Sequence, residues 1–355
     1  MTDDRELSLS VWIHNPRKIF AEHVQGRKLV YLDQNAWIEL RDAKSPEAVR
    51  CLEVCRESVE HRQVIFPLAF PIVTEAIEIG DLETRLRHAD LLDSLSTGIT
   101  FRAPPVLFGL EAQNAYLWFY KGEDRQLSRE EVFSYTIEFV GNHIVEFPPG
   151  FPPEAVSQYV AHTANDERMR SVRFVATQRD WKAGHAPMNE AYVRGMRNLR
   201  QRRPSQPRLP KKQTFARALL TERISLLKNF VAPAFTKSLI EEVGVDKLSE
   251  ASRGYLAAKG EGGKKRIGQI FARMPMLDQH ARLFALDAIE VARKPQAQDL
   301  FDIDHGTVPP IYSDAFVTLD NRLADLVRNA ARGSAEIITS LSGLESWLVR
   351  DIERS

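Results

Sequence analysis

The chain is 355 residues long, which is enough to bury the core of one large domain with an insertion or of two smaller domains. Its 48 basic residues balance its 48 acidic ones, so the net charge argues neither for nor against a nucleic-acid partner. Two cysteines, Cys51 and Cys55, are too few for a disulfide framework or a zinc site. No apolar run approaches the roughly 18 residues that span a membrane, and the acidic amino terminus lacks a signal-peptide core, so we expect a cytoplasmic protein with no membrane partner.

The first third of the chain alternates strand patterns with helix patterns. An apolar run at residues 28–33 predicts a buried strand that ends on Asp33. Proline in a first turn marks the start of two later helices, at Pro46 and Pro71. Residues 64–69 form either a short strand or an extended lead into the second of these helices. The other predicted elements are a helix start at 35–40, a long amphipathic helix over 82–96 and a strand over 98–101.

The middle of the chain, from residue 105 to 290, follows a helical period interrupted by proline and glycine, and strand patterns are scarce there. The α/β pattern resumes after residue 295. The predicted elements of this part are a helix or turn over 299–308, a strand over 315–319, a helix over 321–331, a strand over 336–338 and a helix ending at 350. We therefore predict an α/β domain formed by residues 1–104 and 276–355, with a large, mainly helical insertion over residues 105–275.

Two predicted strands are followed by aspartate residues. Asp33 ends the first apolar run, and Asp320 ends the run Phe316–Leu319 near the other end of the chain. An aspartate just past a buried strand lies at the carboxyl edge of a parallel sheet, where open α/β folds place their ligands. Adjacent carboxylates repel one another unless a divalent cation neutralises them, so this pattern indicates a site for Mg²⁺ or Mn²⁺.

Four motifs, in this order and at this spacing, resemble the PIN-like nuclease family, which consists of small, doubly wound, metal-dependent endonuclease domains. The first two, Leu32–Asn35 and Ile72–Glu75, resemble the family's strand-ending aspartate and its helix glutamate. The other two, Asp299–His305 and Phe316–Leu323, are similar to the Asp-x-x-Asp-x-x-His run of some bacterial members and to a strand that ends in Thr-x-Asp. The resemblance covers roughly residues 28–102 and 274–349, and the middle third has no counterpart in a minimal PIN domain.

The resemblance implies a doubly wound parallel sheet and a phosphodiester hydrolase that depends on Mg²⁺ or Mn²⁺. Asp33 and Asp320 are the expected direct metal ligands, and Asp302 is expected to bind directly or through water. Glu75 would bridge through water or orient the attacking water. The catalytic set is therefore Asp33, Glu75, Asp302 and Asp320, with Asp314 and Asp299 as second-choice metal ligands.

Other polar residues near these motifs have two interpretations each. Asn35 and Thr318 can donate to a ligand carboxylate or to a phosphate oxygen, and Arg322 can meet a phosphate or balance the acids. A single histidine beside acids is more typical of a hydrogen-bonded structural residue, so His305 is not placed in the catalytic set.

A local basic stripe lies between Ala191 and Gln213, where no acidic residue occurs. Arg194, Arg197 and Arg200 are spaced three apart and can line one helix face. Such a stripe suits contact with a phosphate backbone, although charge runs usually form solvated helix faces. We predict that these arginines help to bind the substrate.

The leading hypothesis is a metal-dependent endoribonuclease of the toxin or defence-effector type, with an antitoxin or defence-system partner and with homodimerisation as further expectations of the resemblance. RNA is favoured over DNA only because the resemblance implies it. The alternatives are a structure-specific DNA nuclease and a catalytically inactive PIN-like module that binds nucleic acid or protein. Four retained acids argue against the inactive module, because a surface that only binds a polyanion gains nothing from negative charge.

Overall fold

The structure is a computed structural model, and it describes residues 24–135, 172–177, 193, 194, 196, 210–227, 231, 261–290, 294–296 and 298–352. The strands in these ranges are β1 (Lys28–Leu32), β2 (Val64–Ile65), β3 (Ile99–Phe101), β4 (Phe133–Tyr135), β5 (Ala315–Val317) and β6 (Glu336–Ile338). The helices of the first part are α1 (Gln34–Asp42), α2 (Pro46–Glu60), α3 (Phe70–Glu78), α4 (Leu82–Ser96), α5 (Pro104–Lys121) and α6 (Arg129–Val132). The later helices are α7 (Val172–Thr177), α8 (Lys211–Leu226), α9 (Glu261–Phe271), α10 (Pro275–Ile289), α11 (Gln298–Thr307), α12 (Pro309–Tyr312), α13 (Asn321–Ala330) and α14 (Leu341–Ile352).

The centre of the fold is a four-stranded parallel sheet in the order β2-β1-β5-β6. The chain is therefore an α/β protein, and strands from its two distant ends lie side by side. Leu32 is the register partner of Val317, so β1 and β5 end at the same level. Tyr31 stacks on Phe316 with ring centroids 5.5 Å apart. This sheet order explains how Asp33 and Asp320 reach one edge of the molecule.

Burial on both faces explains why β1 and β5 appear in the sequence as continuous apolar runs rather than as alternating patterns. Leu29 to Leu32 and Ala315 to Val317 are all buried, as expected for parallel strands covered by helices. On one side α1 packs on α2 and α4, and α2 packs on α14. In a second group, α10 packs on α5, α8, α11 and α13. Helix α3 contacts both α4 and α11 and so joins the two groups.

The middle third contributes more to the core than the prediction of a helical insertion implied. Its strand β4 pairs antiparallel with β3, and a parallel bridge between Leu68 and Thr100 links this small sheet to the residues after β2. Helix α5 packs on α10, and the carboxylate of Glu111 on α5 accepts hydrogen bonds from the backbone N–H groups of Met276 and Leu277, each at 3.0 Å. The start of α10 is thus held by a residue that precedes it by more than one hundred and sixty positions.

Both cysteines are buried and free on α2, as helix residues without a disulfide. Within the described ranges, the helices include none that is long and apolar enough to cross a membrane.

Candidate active site at the carboxyl edge of the sheet

Asp33 is the residue at which β1 ends and α1 begins. Its backbone N–H donates to Val317 O at 2.9 Å, which continues the pairing of β1 with β5. Its Oδ1 caps α1 by accepting from Ala36 N at 2.8 Å. The side chain is buried, and burial raises the pKa of its carboxyl, while the hydrogen bonds from Thr318 and Ala36 oppose that rise. Each oxygen keeps a second lone pair with which to bind a cation.

Thr318 joins the ends of the two central strands. Its hydroxyl donates to Asp33 Oδ2 at 2.5 Å. The hydroxyl oxygen of Thr318 also accepts a hydrogen bond from the backbone N–H of Asp320 at 3.1 Å. Asp320 in turn caps α13 through Oδ1, which accepts from Arg322 N at 2.7 Å and from Leu323 N at 3.2 Å. Two helix-capping aspartates therefore lie on either side of one buried threonine, at two helix amino termini that favour negative charge.

Glu75 reaches this edge from α3 and is held by residues of α11. The Nε2 atom of His305 donates to Glu75 Oε2 at 3.0 Å, and the amide of Gln298 donates to Glu75 Oε1 at 3.2 Å. On its other side, His305 Nδ1 lies 2.5 Å from the hydroxyl oxygen of Tyr31. Burial disfavours a charged imidazole, but the neighbouring carboxylates of Glu75, Asp33 and Asp302 raise the pKa of His305 above its usual value.

Asp302 lies one helical turn before His305 on α11 and is paired with Arg322 of α13. Arg322 Nη1 donates to Asp302 Oδ2 at 2.5 Å. Burial is the main reason that the pKa of Asp302 rises to about 6, and the carboxylates of Asp320 and Asp299 raise it further, against the effect of Arg322 and His305. Asp320 therefore lies close enough to Asp302 to disfavour ionisation of the Asp302 carboxyl.

The guanidinium of Arg322 has several carboxylates around it. Its Nη2 atom lies 3.0 Å from Asp287 Oδ1, 3.5 Å from Asp299 Oδ1 and 3.8 Å from Glu290 Oε2. The side chains of Asp287 and Asp299 are fully buried. Of the two predictions for Arg322, the geometry therefore favours charge balance over contact with a phosphate. Thr318 donates to Asp33, so of the two predictions for Thr318 the geometry favours contact with the carboxylate of a predicted metal ligand over contact with a phosphate.

Asp314 does not join the cluster, and we remove it from the predicted ligands. It precedes β5, whereas Asp320 follows it, so the two aspartates lie at opposite edges of the sheet. There Asp314 Oδ2 accepts from Leu29 N at 2.8 Å and lies 3.8 Å from Arg129 Nη2. The sequence motif suggested that both aspartates belong to one site. Strand β5 lies between them, however, and places them at opposite edges of the sheet.

Two of the remaining predicted substrate contacts, Asn35 and Arg194, lie in the described part of the chain. Asn35 is exposed in the first turn of α1, next to Asp33. Arg194 is exposed and has a helical backbone conformation. Arg197 and Arg200 fall outside the described residues. Sequence analysis missed Tyr31 and Asp287, which contact the cluster from β1 and α10. Tyr31 sits in an apolar run and Asp287 in the helical middle third, so no local pattern distinguished them.

The donor set suits a divalent cation. Asp33, Glu75, Asp302 and Asp320 supply hard carboxylate oxygens of the kind that Mg²⁺ and Mn²⁺ prefer. Burial and mutual repulsion raise the pKa of Asp33 and of Asp302, and a dication among these groups would relieve both effects. In the ranges that the structure covers, however, no three His, Cys, Asp or Glu side chains form a ready-made metal site. The acids are joined through Thr318, His305 and Arg322 instead.

No model of a known protein family, no curated protein and no solved structure matches this chain.

Proposed function

We propose that the chain is a metal-dependent phosphodiester hydrolase whose active site is the carboxylate cluster at the carboxyl edge of the sheet. The observation that carries the proposal is the convergence of Asp33 and Asp320 from adjacent strand ends upon Glu75 and Asp302. These residues lie far apart in the sequence. Negatively charged carboxylates near one another in a largely buried site repel one another, and a bound cation would offset this repulsion.

Asp33 and Asp320 would hold the cation, with Asp302 beside them. A divalent cation in such a cluster supplies Lewis acidity toward a phosphodiester and makes hydroxide accessible near neutral pH. Glu75 would accept a proton from the attacking water at its Oε atoms, because His305 and Gln298 hold it in place. Arg322 would keep Asp302 ionised near the site. Asn35, exposed beside Asp33, would contact the substrate.

RNA is the proposed substrate because of the resemblance to PIN-like nucleases, and the experiment compares it with DNA. Labelled single-stranded RNA and DNA of the same sequence are incubated with the full chain in Mg²⁺, Mn²⁺ or a chelator. We expect RNA to be cut only with a cation. Asp33→Asn should slow cleavage at least about 100-fold, which corresponds to the several kcal/mol that charge stabilisation by a cation contributes.

Asp325→Asn is the matched control, because Asp325 is exposed on α13 and pairs only with Arg328 in the described part of the chain. Its cleavage rate should equal that of the wild type. Equal rates in Asp33→Asn and wild type would refute this active site. If only DNA is cleaved, the substrate is DNA and not RNA. If RNA is bound but not cleaved, the chain is a nucleic-acid-binding module and not a nuclease.

A further inference from the structure

A polar cavity lies at the amino edge of the sheet, away from the carboxylate cluster. It has a volume of about 410 Å³, and Ile311, Tyr312, Gly333 and Ser334 contribute to its lining. These residues precede β5 and β6, whereas Asp33 and Asp320 follow the ends of their strands. We call it the amino-edge cavity. Its size falls in the range of small-molecule sites.

The surroundings of the amino-edge cavity carry an excess of positive charge. The buried carboxylate of Asp278 accepts from three arginines: Arg223 at 2.6 Å, Arg282 at 3.0 Å and Arg332 at 2.5 Å. Among the described residues, these arginines have no other carboxylate partner. Among the described residues, one carboxylate thus pairs with three guanidinium groups, and one of these, Arg332, extends into the lining of the cavity.

Two further side chains give the cavity directional contacts. Arg125 lines it from the segment after α5 and is more than half exposed, so its guanidinium is accessible beside its ion pair with Glu131. Asn114 lines it from α5 and is only 6% exposed. The side-chain amide of Asn114 can therefore donate to, and accept from, a ligand in the cavity.

Glu111 also lines the cavity, but its function there is structural. Its Oε1 accepts from Met276 N and from the hydroxyl of Tyr312 at 2.9 Å, and its Oε2 accepts from Leu277 N. Burial raises the pKa of Glu111 to about 7, against the effect of these hydrogen bonds, so it carries less than a full negative charge near neutral pH. The acid therefore does little to offset the arginines.

We propose that the amino-edge cavity binds a small organic phosphate of nucleotide size, with its phosphate between Arg125 and Arg332 and a polar group of its organic part on the amide of Asn114. A phosphate monoester is favoured over a carboxylate because its second negative charge suits a cavity lined by two guanidinium groups, of which Arg332 shares its carboxylate with two other arginines. Leu127, Pro275 and Ile311 form an apolar wall for the organic part. The proposal is independent of the nuclease activity.

The test is isothermal titration calorimetry of the full chain in the presence of a chelator. The probes are the four common nucleoside 5′-monophosphates, ribose 5-phosphate, inorganic phosphate and the unphosphorylated nucleosides. We expect at least one organic phosphate to bind at least about ten times more tightly than both inorganic phosphate and its own dephosphorylated form. Arg125→Gln and Asn114→Ala should each weaken this binding about tenfold or more.

Arg328→Gln is the control, because Arg328 lies on α13 near Arg332 in sequence but pairs with Asp325 outside the cavity. It should bind as the wild type does. The absence of binding by every organic phosphate up to about 5 mM would overturn the proposal. Equal affinity for inorganic phosphate would do the same, as would binding that is lost in Asp33→Asn but kept in Arg125→Gln, since that result would place the ligand at the carboxylate cluster.

Discussion

The hydroxyl of Thr318 lies 2.5 Å from Oδ2 of Asp33, so a single buried threonine bridges the ends of β1 and β5. The bond lowers the pKa of Asp33 against the effect of burial. Thr318→Val keeps the shape and removes the donor. We therefore expect the pKa of Asp33 to rise and the free energy of unfolding to fall by about 1–3 kcal/mol. Under the proposed function, we also expect the affinity for Mn²⁺ to fall about 10- to 100-fold.

These changes are measured by titration with Mn²⁺ and by urea unfolding. Thr318→Ser keeps the hydroxyl and should behave almost as the wild type does in both assays. Wild-type affinity for Mn²⁺ in the valine variant would show that the hydrogen bond from Thr318 to Asp33 does not contribute to metal binding.

Replacing Arg322 should destabilise the fold strongly, because its guanidinium balances the buried carboxylates of Asp287, Asp299 and Asp302. Removing one partner of a buried ion pair leaves an uncompensated charge, at a cost of about 3–5 kcal/mol. We expect this loss of unfolding free energy for Arg322→Met. The exposed Arg328, on the same helix, serves as the control, and Arg328→Met should cost less than about 1 kcal/mol.

The hydroxyl of Tyr31 should matter for catalysis more than for folding. Tyr31→Phe keeps the stacking on Phe316 and removes the contact with His305, which orients Glu75. Under the proposed function we expect kcat to fall about 10- to 100-fold with little change in KM, as for residues that orient catalytic groups.

Tyr312→Phe is the matched variant for this prediction. It also deletes one buried hydroxyl, which donates to Glu111 at the opposite edge. Both variants should lose about 1 kcal/mol of unfolding free energy, and only Tyr31→Phe should lose activity. Equal kcat values in the two variants would contradict a positioning function for Tyr31.

His88 should make the protein less stable in acid. It is buried on α4, and neither ring nitrogen has a hydrogen-bond partner among the described residues. Burial, with a smaller effect of Arg41, lowers its pKa from 6.5 to about 4. Between these two values the unfolded chain binds the proton and the folded chain does not, so stability is present above pH 6.5 and is lost as the pH falls toward 4.

Urea unfolding at pH 7 and pH 5 measures this effect. Between the two pH values the wild type should lose about 2 kcal/mol more than His88→Met does. His61→Gln changes an exposed histidine and should keep the wild-type dependence. The same pH dependence of stability in wild type and His88→Met would contradict the prediction, because it would mean that folding leaves the pKa of His88 unchanged.

Gly333 lies where the chain passes close to α12. A β-carbon at this position would overlap the carbonyl oxygen of Pro310, which is backbone and has little freedom to move. Gly333→Ala should therefore lower the free energy of unfolding by about 1–3 kcal/mol. Gly109, inside α5, has open space around a β-carbon, so Gly109→Ala should instead stabilise the protein by up to about 1 kcal/mol. Thermal unfolding of the two variants should thus shift in opposite directions.

The sequence by itself determined the local elements near the two ends of the chain. Continuous apolar runs predicted β1 and β5, and proline in first turns marked the starts of α2 and α3. Local signals suffice there because strand burial and helix capping depend on residues close in sequence. The aspartates after β1 and β5 were identified because each follows a buried apolar run, and the structure shows that each also caps the helix that follows it.

Only the tertiary structure decided which charged groups meet. The parallel pairing of β1 with β5 placed Asp320, and not Asp314, at the same edge of the sheet as Asp33. Packing of α10 and α13 enclosed Arg322 among acids from two other helices, and packing of α3 on α11 placed His305 between Tyr31 and Glu75. These contacts join residues separated by tens to hundreds of positions. Their energies depend on burial and on distance through space, and a local sequence pattern carries information about neither.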